Sequence, residues 1–274
     1  MNKKSYPLSD LNTWLNQVGE IKILLPEKPK LDQVAAAGAL ADSLNKSDKK
    51  TQIFCPQSLS VKFSQVIGVD RVANKIEGRN FVININYPLV NIEKINWDDQ
   101  EKERIALVIE PKASAPPIDN NMVTLKKGNG KIRDVIALGF SSQEELFGAI
   151  KSLGGKEPPE KINTVNINIS SGEFFGQIKL IDNEASSFSE VIAGVIEGLS
   201  LPISLDGANN LLLGLRAATN SFSSVGIGPD TFEAAAFCLR SGGKLSTETV
   251  SDFTTNKKIS NFGKPRIYRG SVND

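Results

Sequence analysis

The residues best suited to chemistry stand where predicted strands end and predicted helices begin. Lys30 and Asp32 follow a strand-like apolar run and open an alanine-rich helix. Asn168 ends an alternating strand, and Ser186 and Ser187 come directly before a long apolar helix. Ligands of α/β proteins bind at the carboxyl ends of the strands, where such positions converge. An ammonium group, a carboxylate, an amide and two hydroxyls can bind a polar ligand, but the asparagine and serines at these positions are poorly suited to metal or acid–base chemistry.

The composition excludes several kinds of active site. The 274-residue chain contains no histidine, which excludes a Ser-His-Asp triad, a Cys-His dyad and any histidine-containing metal site. Cys55 and Cys238 show no metal-binding spacing, and we expect both to be buried thiols of a reducing compartment. The net charge of +1 gives no overall attraction to nucleic acid or to an acidic membrane. No apolar run reaches the roughly 20 residues of a membrane span, and we expect a cytoplasmic protein without membrane partners.

Alternating strand-like and helical segments predict an α/β fold, with a parallel sheet flanked by helices. The strand-like runs assigned to this sheet are 21–25, 51–55, 134–140 and 164–169. The segments with helical spacing are 8–18, 31–46, 59–67, 143–151, 188–199, 208–220 and 231–242. We expect these elements to form one domain over 1–243.

Residues from about 80 to 130 interrupt this alternation. They contain short strand-like runs with no helical segment between them, which predicts an inserted antiparallel hairpin or small meander. Free strand edges pair readily with other chains, so this segment could mediate association with a second copy or with another protein. Alternatively, its loop at 112–121 and its charges at 97–103 shield those edges.

The stretch 244–274 is predicted to be a basic, irregular tail. It has no acidic residue between Phe253 and Asn273, and its basic residues are Lys257, Lys258, Lys264, Arg266 and Arg269. Phe262 and Tyr268 are interleaved with them, which is typical of a segment that binds RNA or docks on a partner. The alternative is a solvated, flexible terminus.

Residues 20–243 resemble the DHH phosphoesterase domain of nanoRNase and RecJ-like proteins. The likeness rests on the Glu-Ala-Ser-Ser turn at 184–187, on Thr219-x-Ser221-Phe222 before a Pro-x-Thr helix, and on the strand-to-helix turn at 26–32. The resemblance implies two manganese or magnesium ions that activate water for phosphodiester hydrolysis. It also implies a smaller C-terminal substrate-binding domain, which we expect to be missing because roughly 30 residues after 243 are too few to form it.

The first metal-binding motif of the family is degenerate in this chain. Its histidine position falls on Pro26 and its first aspartate position on Lys30. Only the second aspartate is kept, as Asp32.

The other three motifs have lost their ligands as well. The strand-end aspartate falls on Gly139 or Phe140, the Asp-His-His triplet on 167–169, and the last aspartate on Ala218. One remaining carboxylate cannot hold two divalent cations. The resemblance therefore implies a domain without metal chemistry.

The resemblance favours a catalytically inactive DHH-like protein that acts as a binding or scaffold protein without a cofactor. Its partner would be a nucleic acid, a nucleotide, another protein or a second copy. The alternative is an active phosphodiesterase or exonuclease on short oligonucleotides or cyclic dinucleotides, with manganese or magnesium at a site rearranged around Asp32, Asp182 and Glu184. A third possibility is a nucleotide sensor that uses the empty cleft.

The former active-site cleft supplies the candidate ligand-binding residues, namely Lys30, Asp32, Asn168, Ser186, Ser187, Arg216, Thr219, Asn220 and Ser221. Lys30 either contacts phosphate directly or is a solvated lysine at a helix start. Asn168 and Asn220 either donate into the cleft or close a loop and a helix. Arg216 either points into the cleft or pairs on the surface, and we expect the surface. We expect Asp32 to act as a charge at the start of its own helix.

Overall fold

The computed structural model describes residues 6–59, 61–98, 103–130, 132–155, 161–170 and 174–245, so most of the predicted basic tail lies outside it. Its strands are β1 (Glu20–Leu24), β2 (Lys50–Phe54), β3 (Glu77–Ile85), β4 (Ile92–Asp98), β5 (Ala106–Pro111), β6 (Val123–Asn129), β7 (Asp134–Leu138), β8 (Asn163–Asn168) and β9 (Ile178–Ile181). Its helices are α1 (Leu8–Gln17), α2 (Leu31–Lys46), α3 (Gln143–Ser152), α4 (Phe188–Gly198), α5 (Leu205–Ala218) and α6 (Pro229–Arg240). None of these helices is long and apolar enough to cross a membrane.

Five parallel strands form the central sheet, in the order β2-β1-β7-β8-β9. The predicted α/β fold with a parallel sheet is therefore confirmed. Strand β9 was not predicted, because four residues are too few to show a periodicity. Gly176, with a φ of 89°, leads the chain into β9, and a Cβ at this glycine would lie only 2.6 Å from the carbonyl oxygen of Thr164.

Side chains alternate across the sheet and bury both of its faces. One face packs against α1, α2, α4 and α5 and includes Ile23, Ile136 and Ile167. The other face, which includes Leu24 and Val135, packs against α3. Because parallel strands all end at the same edge, the helices that follow β1, β7 and β9 begin at that edge, where a ligand site is expected.

The two cysteines are buried and free of disulfides, as expected. Burial raises the pKa of the Cys238 thiol to about 12, and it also raises the pKa of Cys55. Both thiols are therefore protonated and unreactive at neutral pH.

The helix predicted at 59–67 is wrong. The described part of this segment contains only a 3₁₀ turn, at Val61–Phe63, and Gly68 follows with a φ of 82°. Phe63 and Val66 are both buried, which accounts for the apolar spacing that suggested a helix.

The inserted segment forms two antiparallel ribbons, which we call together the arm (residues 77–129). The first ribbon pairs β3 with β6, and the second pairs β4 with β5. The second ribbon lies between the two strands of the first in the chain, so the arm is a nested hairpin rather than a meander. At the joint between the ribbons, the buried Tyr87 donates its hydroxyl to the carbonyl of Pro116. Strand β4 was not predicted, because charged residues interrupt its apolar ones.

Candidate functional site

Four helix ends meet where the parallel strands end. Helices α2 and α4 begin there, and α6 begins beside α4. Helix α5 runs antiparallel to α2, because its Gly207 lies beside Asp42 and its Gly214 lies beside Asp32. The carboxyl end of α5 therefore reaches the same edge of the sheet. The elements that carry the candidate residues are brought together as the sequence suggests.

Asp32 binds the first turn of α4 rather than that of its own helix. Its Oδ2 accepts the backbone N–H of Phe188 at 2.6 Å, and its Oδ1 accepts the backbone N–H of Ser189 at 3.0 Å and its hydroxyl at 2.6 Å. The side chain is 4% exposed. The start of a helix attracts anions, and here the protein's own carboxylate occupies that position. The expectation that Asp32 serves only its own helix is corrected.

The pKa of Asp32 is raised to about 6. Burial is the largest cause, because a charged carboxylate is costly to remove from water. The hydrogen bonds from Ser189 and Phe188 and the positive charge of Lys30 act in the opposite direction. The carboxyl group therefore lies buried among hydrogen-bond donors of the protein rather than in an open cleft.

Gly214 of α5 allows this close contact. A Cβ at this position would overlap the hydroxyl of Ser189 and would lie 2.8 Å from Oδ1 of Asp32. Three helices thus meet around one carboxylate, with a glycine where α5 approaches it. The glycine stood out in the sequence only as an interruption of an apolar helix.

Ser186 and Ser187 cap α4 together with a glutamate that sequence reasoning did not select. The hydroxyl of Ser187 accepts the N–H of Glu190 at 3.0 Å. In return, Oε2 of Glu190 accepts the N–H and the hydroxyl of Ser186, at 3.1 and 2.7 Å, and the hydroxyl of Thr231 at 2.8 Å. Glu190 is 4% exposed, so this buried carboxylate ties α4 to the start of α6.

The signal for this cap is present twice in the sequence. Ser141, Ser142 and Glu145 repeat the spacing Ser-Ser-x-x-Glu at the start of α3. There Ser142 accepts the N–H of Glu145, and Oε2 of Glu145 accepts from the N–H and the hydroxyl of Ser141. This is a variant of the capping box in which the glutamate accepts from the residue before the N-cap rather than from the N-cap itself. In the structure, Ser186 and Ser187 thus cap the start of α4.

Asn168 closes the turn after β8. Its Oδ1 accepts the N–H of Ile169 at 2.8 Å and the hydroxyl of Ser170 at 3.1 Å, and its Nδ2 donates to the carbonyl of Phe140 at 2.8 Å. Both ends of this buried amide are used within the fold. The structure thus gives Asn168 the loop-closing role that the sequence offered as one of two readings.

Lys30 is exposed at the first turn of α2. Its backbone N–H donates to Oε1 of Gln33 at 2.7 Å, so the side chain of Gln33 caps this turn. Gln33 in turn lies against Gly139, at the end of β7. Lys30 therefore stands exposed at the start of α2, one helical turn before the residue that packs against the end of β7.

The candidate residues at the end of α5 form a tight turn. The buried hydroxyl of Thr219 donates to the carbonyl of Leu215 at 2.6 Å and accepts the N–H of Phe222 at 3.0 Å. Asn220 and Ser221 are exposed and both have a positive φ, of 47° and 56°. Asparagine tolerates this left-handed conformation well, so Asn220 ends the helix.

Arg216, on the last turn of α5, is 9% exposed. The expectation that it lies on the surface is therefore wrong. Its carbonyl accepts the N–H of Ser221 at 2.7 Å, which places it at the same turn.

The carboxylates of the rearranged metal site do not form one cluster. Asp182 accepts the N–H groups of Glu184 and Ala185, both at 3.1 Å, and the hydroxyl of Tyr6 at 2.8 Å. Burial and this hydrogen bond raise the pKa of Tyr6 above its usual range. Glu184 is exposed. Within the described parts of the chain, no three Asp, Glu or Cys side chains are placed to hold a metal ion together.

Comparison with known proteins finds a likeness in structure only. No family model and no curated protein matches the sequence. The solved structure of an exopolyphosphatase-related protein from Bacteroides fragilis matches 86% of this chain with a TM-score of 0.59 and 14% identity. The fold of this chain is therefore similar to the fold of that protein. The match covers 57% of that protein's chain, and at this identity it shows the fold alone.

Proposed function

We propose that this chain is a degenerate DHH-family domain that has lost hydrolysis and acts as a binding or scaffold protein. The observation that carries the proposal is the role of Asp32. It is the only carboxylate left at the family's metal-binding positions, and both of its oxygens accept hydrogen bonds from α4. The oxygen lone pairs of a metal-binding carboxylate must point towards the ion, whereas both oxygens of Asp32 accept hydrogen bonds from the protein.

The residues at the other motif positions do not fit a pair of divalent ions. Divalent manganese and magnesium prefer carboxylate, carbonyl and water oxygens. The strand ends instead present Gly139, Phe140 and Asn168, and Oδ1 of Asn168 already accepts from its own loop. We therefore derive no hydrolytic step for this site.

A phosphate-bearing ligand, such as a nucleotide or a short nucleic acid, is the second candidate. The observation in its favour is Lys30, an exposed cation at the start of α2. A helix start and a nearby ammonium both favour phosphate. The first turn of α4 is not available for this purpose, because Asp32 occupies it.

The main test is a hydrolysis assay of the purified full chain with manganese and with magnesium. The substrates are short oligoribonucleotides, cyclic dinucleotides and inorganic polyphosphate. We expect no turnover above the protein-free control, and calorimetry with manganese should give no tight site. Turnover that is lost in Glu184→Gln, a change at an exposed carboxylate, would instead support the rearranged metal site.

The second candidate has its own matched pair of variants. Lys30 and Lys28 are both exposed and lie two residues apart, but only Lys30 stands at the start of α2. If a nucleotide or oligonucleotide binds here, Lys30→Ala should weaken binding while Lys28→Ala leaves it nearly unchanged. Equal effects of the two changes would indicate a non-specific charge attraction.

A further inference from the structure

The second ribbon of the arm exposes one apolar face. Ile95 lies opposite Ile109, and Trp97 lies opposite Leu107. Residues directly opposite each other in an antiparallel pair point to the same side of the sheet. Trp97 is 71% exposed and Leu107 is 47% exposed. A row of large apolar side chains therefore faces outward.

The reverse face of the same ribbon is polar. Lys94 lies opposite Glu110, and Asn96 lies opposite Val108. The ribbon is therefore amphipathic, as a sheet is when it packs one face against another layer. No helix makes an extensive contact with either ribbon in the described part of the chain.

The first ribbon also exposes an apolar face. Ile83 lies opposite Leu125 and Ile85 opposite Val123, and Phe81 points to their side of the ribbon. Phe81 is 60% exposed and Leu125 is 62% exposed. Both ribbons thus expose apolar faces against which no described helix packs extensively.

The exposed apolar area is large enough to require an explanation. The most exposed apolar side chains of these two faces are Phe81, Ile83, Ile95, Trp97, Leu107 and Leu125. Together they expose on the order of 700 Å², about half of it on each ribbon, and each half is comparable to the largest apolar patch of a typical monomer, roughly 300–600 Å² and often functional. An isolated two-stranded ribbon is also only marginally stable in water without a layer against its apolar face.

The charges of the arm show which partner is complementary. The stretch of sequence from the start of β4 to the end of β5, residues 92–111, carries six acidic and three basic residues. The first ribbon with its connections, residues 77–91 and 112–130, carries four basic and two acidic residues. The arm is therefore acidic in one half and basic in the other. Two antiparallel arms attract each other, because the acidic half of each lies against the basic half of the other. They repel each other when like halves meet.

We propose that the apolar faces of the arm bind the arm of a second copy of this chain, in an antiparallel, two-fold symmetric dimer. The second ribbon of each copy packs on the first ribbon of the other. A two-fold interface uses the same patch on both copies, and the arm is complementary to itself in this orientation only. An apolar area of this size approaches the roughly 800 Å² per partner of a standard interface. This dimer is independent of whether the α/β domain hydrolyses anything.

The test is the mass of the full chain in solution, measured by light scattering or sedimentation. At about 50 μM a dimer with a micromolar Kd is largely formed, so we expect a mass near twice 29.6 kDa. Leu107→Asp places a charge on the apolar face and should give a monomer. Val108→Asp places the same charge on the polar face of the same strand, at a similar exposure of 44%, and should stay dimeric. Circular dichroism checks that both variants remain folded.

A cross-linking experiment tests the orientation. Mixed Ile83→Cys and Leu107→Cys chains should form more disulfide-linked dimer on oxidation than either variant alone, because the antiparallel arrangement brings the two ribbons together. The native cysteines are buried, so the wild-type chain should form no disulfide-linked dimer and serves as the control. A wild-type chain that stays monomeric overturns the proposal. Loss of the dimer to the same extent in Leu107→Asp and in Val108→Asp also overturns the proposal.

Discussion

Asp32 and Ser189 lie 157 residues apart in the chain and are joined by two hydrogen bonds. One goes to the backbone N–H of Ser189 and the other to its hydroxyl, and both end on the same carboxylate oxygen. Gly214 approaches this pair from a third helix. The contact joins α2, α4 and α5 at the edge of the sheet where the parallel strands end.

Replacing Asp32 with alanine should destabilise the fold. The change leaves three buried donors on α4 without an acceptor, which costs about 3 kcal/mol at pH 5. Urea denaturation followed by circular dichroism measures the loss. Glu27→Ala, at an exposed acid on the preceding loop, is the control and should cost less than about 0.5 kcal/mol. Equal effects would mean that Asp32 has no special structural role.

The stability that Asp32 provides should fall as the pH rises. Its pKa is about 6 in the folded protein against an ordinary 3.8, so the folded state binds the proton more tightly than the unfolded chain. The resulting stabilisation is fully present below about pH 4. It is lost as the pH rises through 6, and the total loss is on the order of 3 kcal/mol. The difference in unfolding free energy between wild type and Asp32→Ala, measured from pH 4 to pH 7, should therefore shrink. A difference that grows over this range contradicts the prediction.

The two Ser-Ser-x-x-Glu caps should differ in energy because only one is buried. Glu190→Gln removes a charged acceptor from Ser186 and Thr231 in a buried site and should cost about 2 kcal/mol. Glu145→Gln changes the same motif at the surface and should cost less than about 1 kcal/mol. Thermal unfolding of the two variants gives the comparison. Similar losses would show that the link from α4 to α6 adds nothing to the cap.

Alanine should have opposite effects at two helical glycines. At Gly148 of α3 a Cβ meets nothing within 4 Å, so Gly148→Ala should stabilise the protein by roughly 0.5–1 kcal/mol. At Gly214 the Cβ would overlap Ser189, so Gly214→Ala should destabilise it by about 2 kcal/mol or more. Chemical denaturation of both variants distinguishes these outcomes. A stabilising Gly214→Ala would show that α5 moves easily away from Asp32.

The local elements of this protein could be predicted because they depend on short-range patterns. Apolar spacing predicted α2 and α4–α6, and short apolar or alternating runs predicted β1, β2, β7 and β8. The same rules failed where an element is too short to carry a period, as in β9 and at Val61–Phe63. They also could not show that the arm is nested, because pairing between β3 and β6 joins residues that are about 40 positions apart.

The sequence by itself determined which chemistry is excluded and which strand ends are polar. It has no histidine, and one carboxylate remains at the motif positions that the resemblance identified. Only the tertiary structure decided what those residues do. Asp32 meets Ser189, and Glu190 meets Thr231, because helices that are distant in the chain pack side by side and the free N–H groups of one helix attract a carboxylate from another. Sequence spacing carries no information about such contacts, since they depend on how whole helices pack around the sheet.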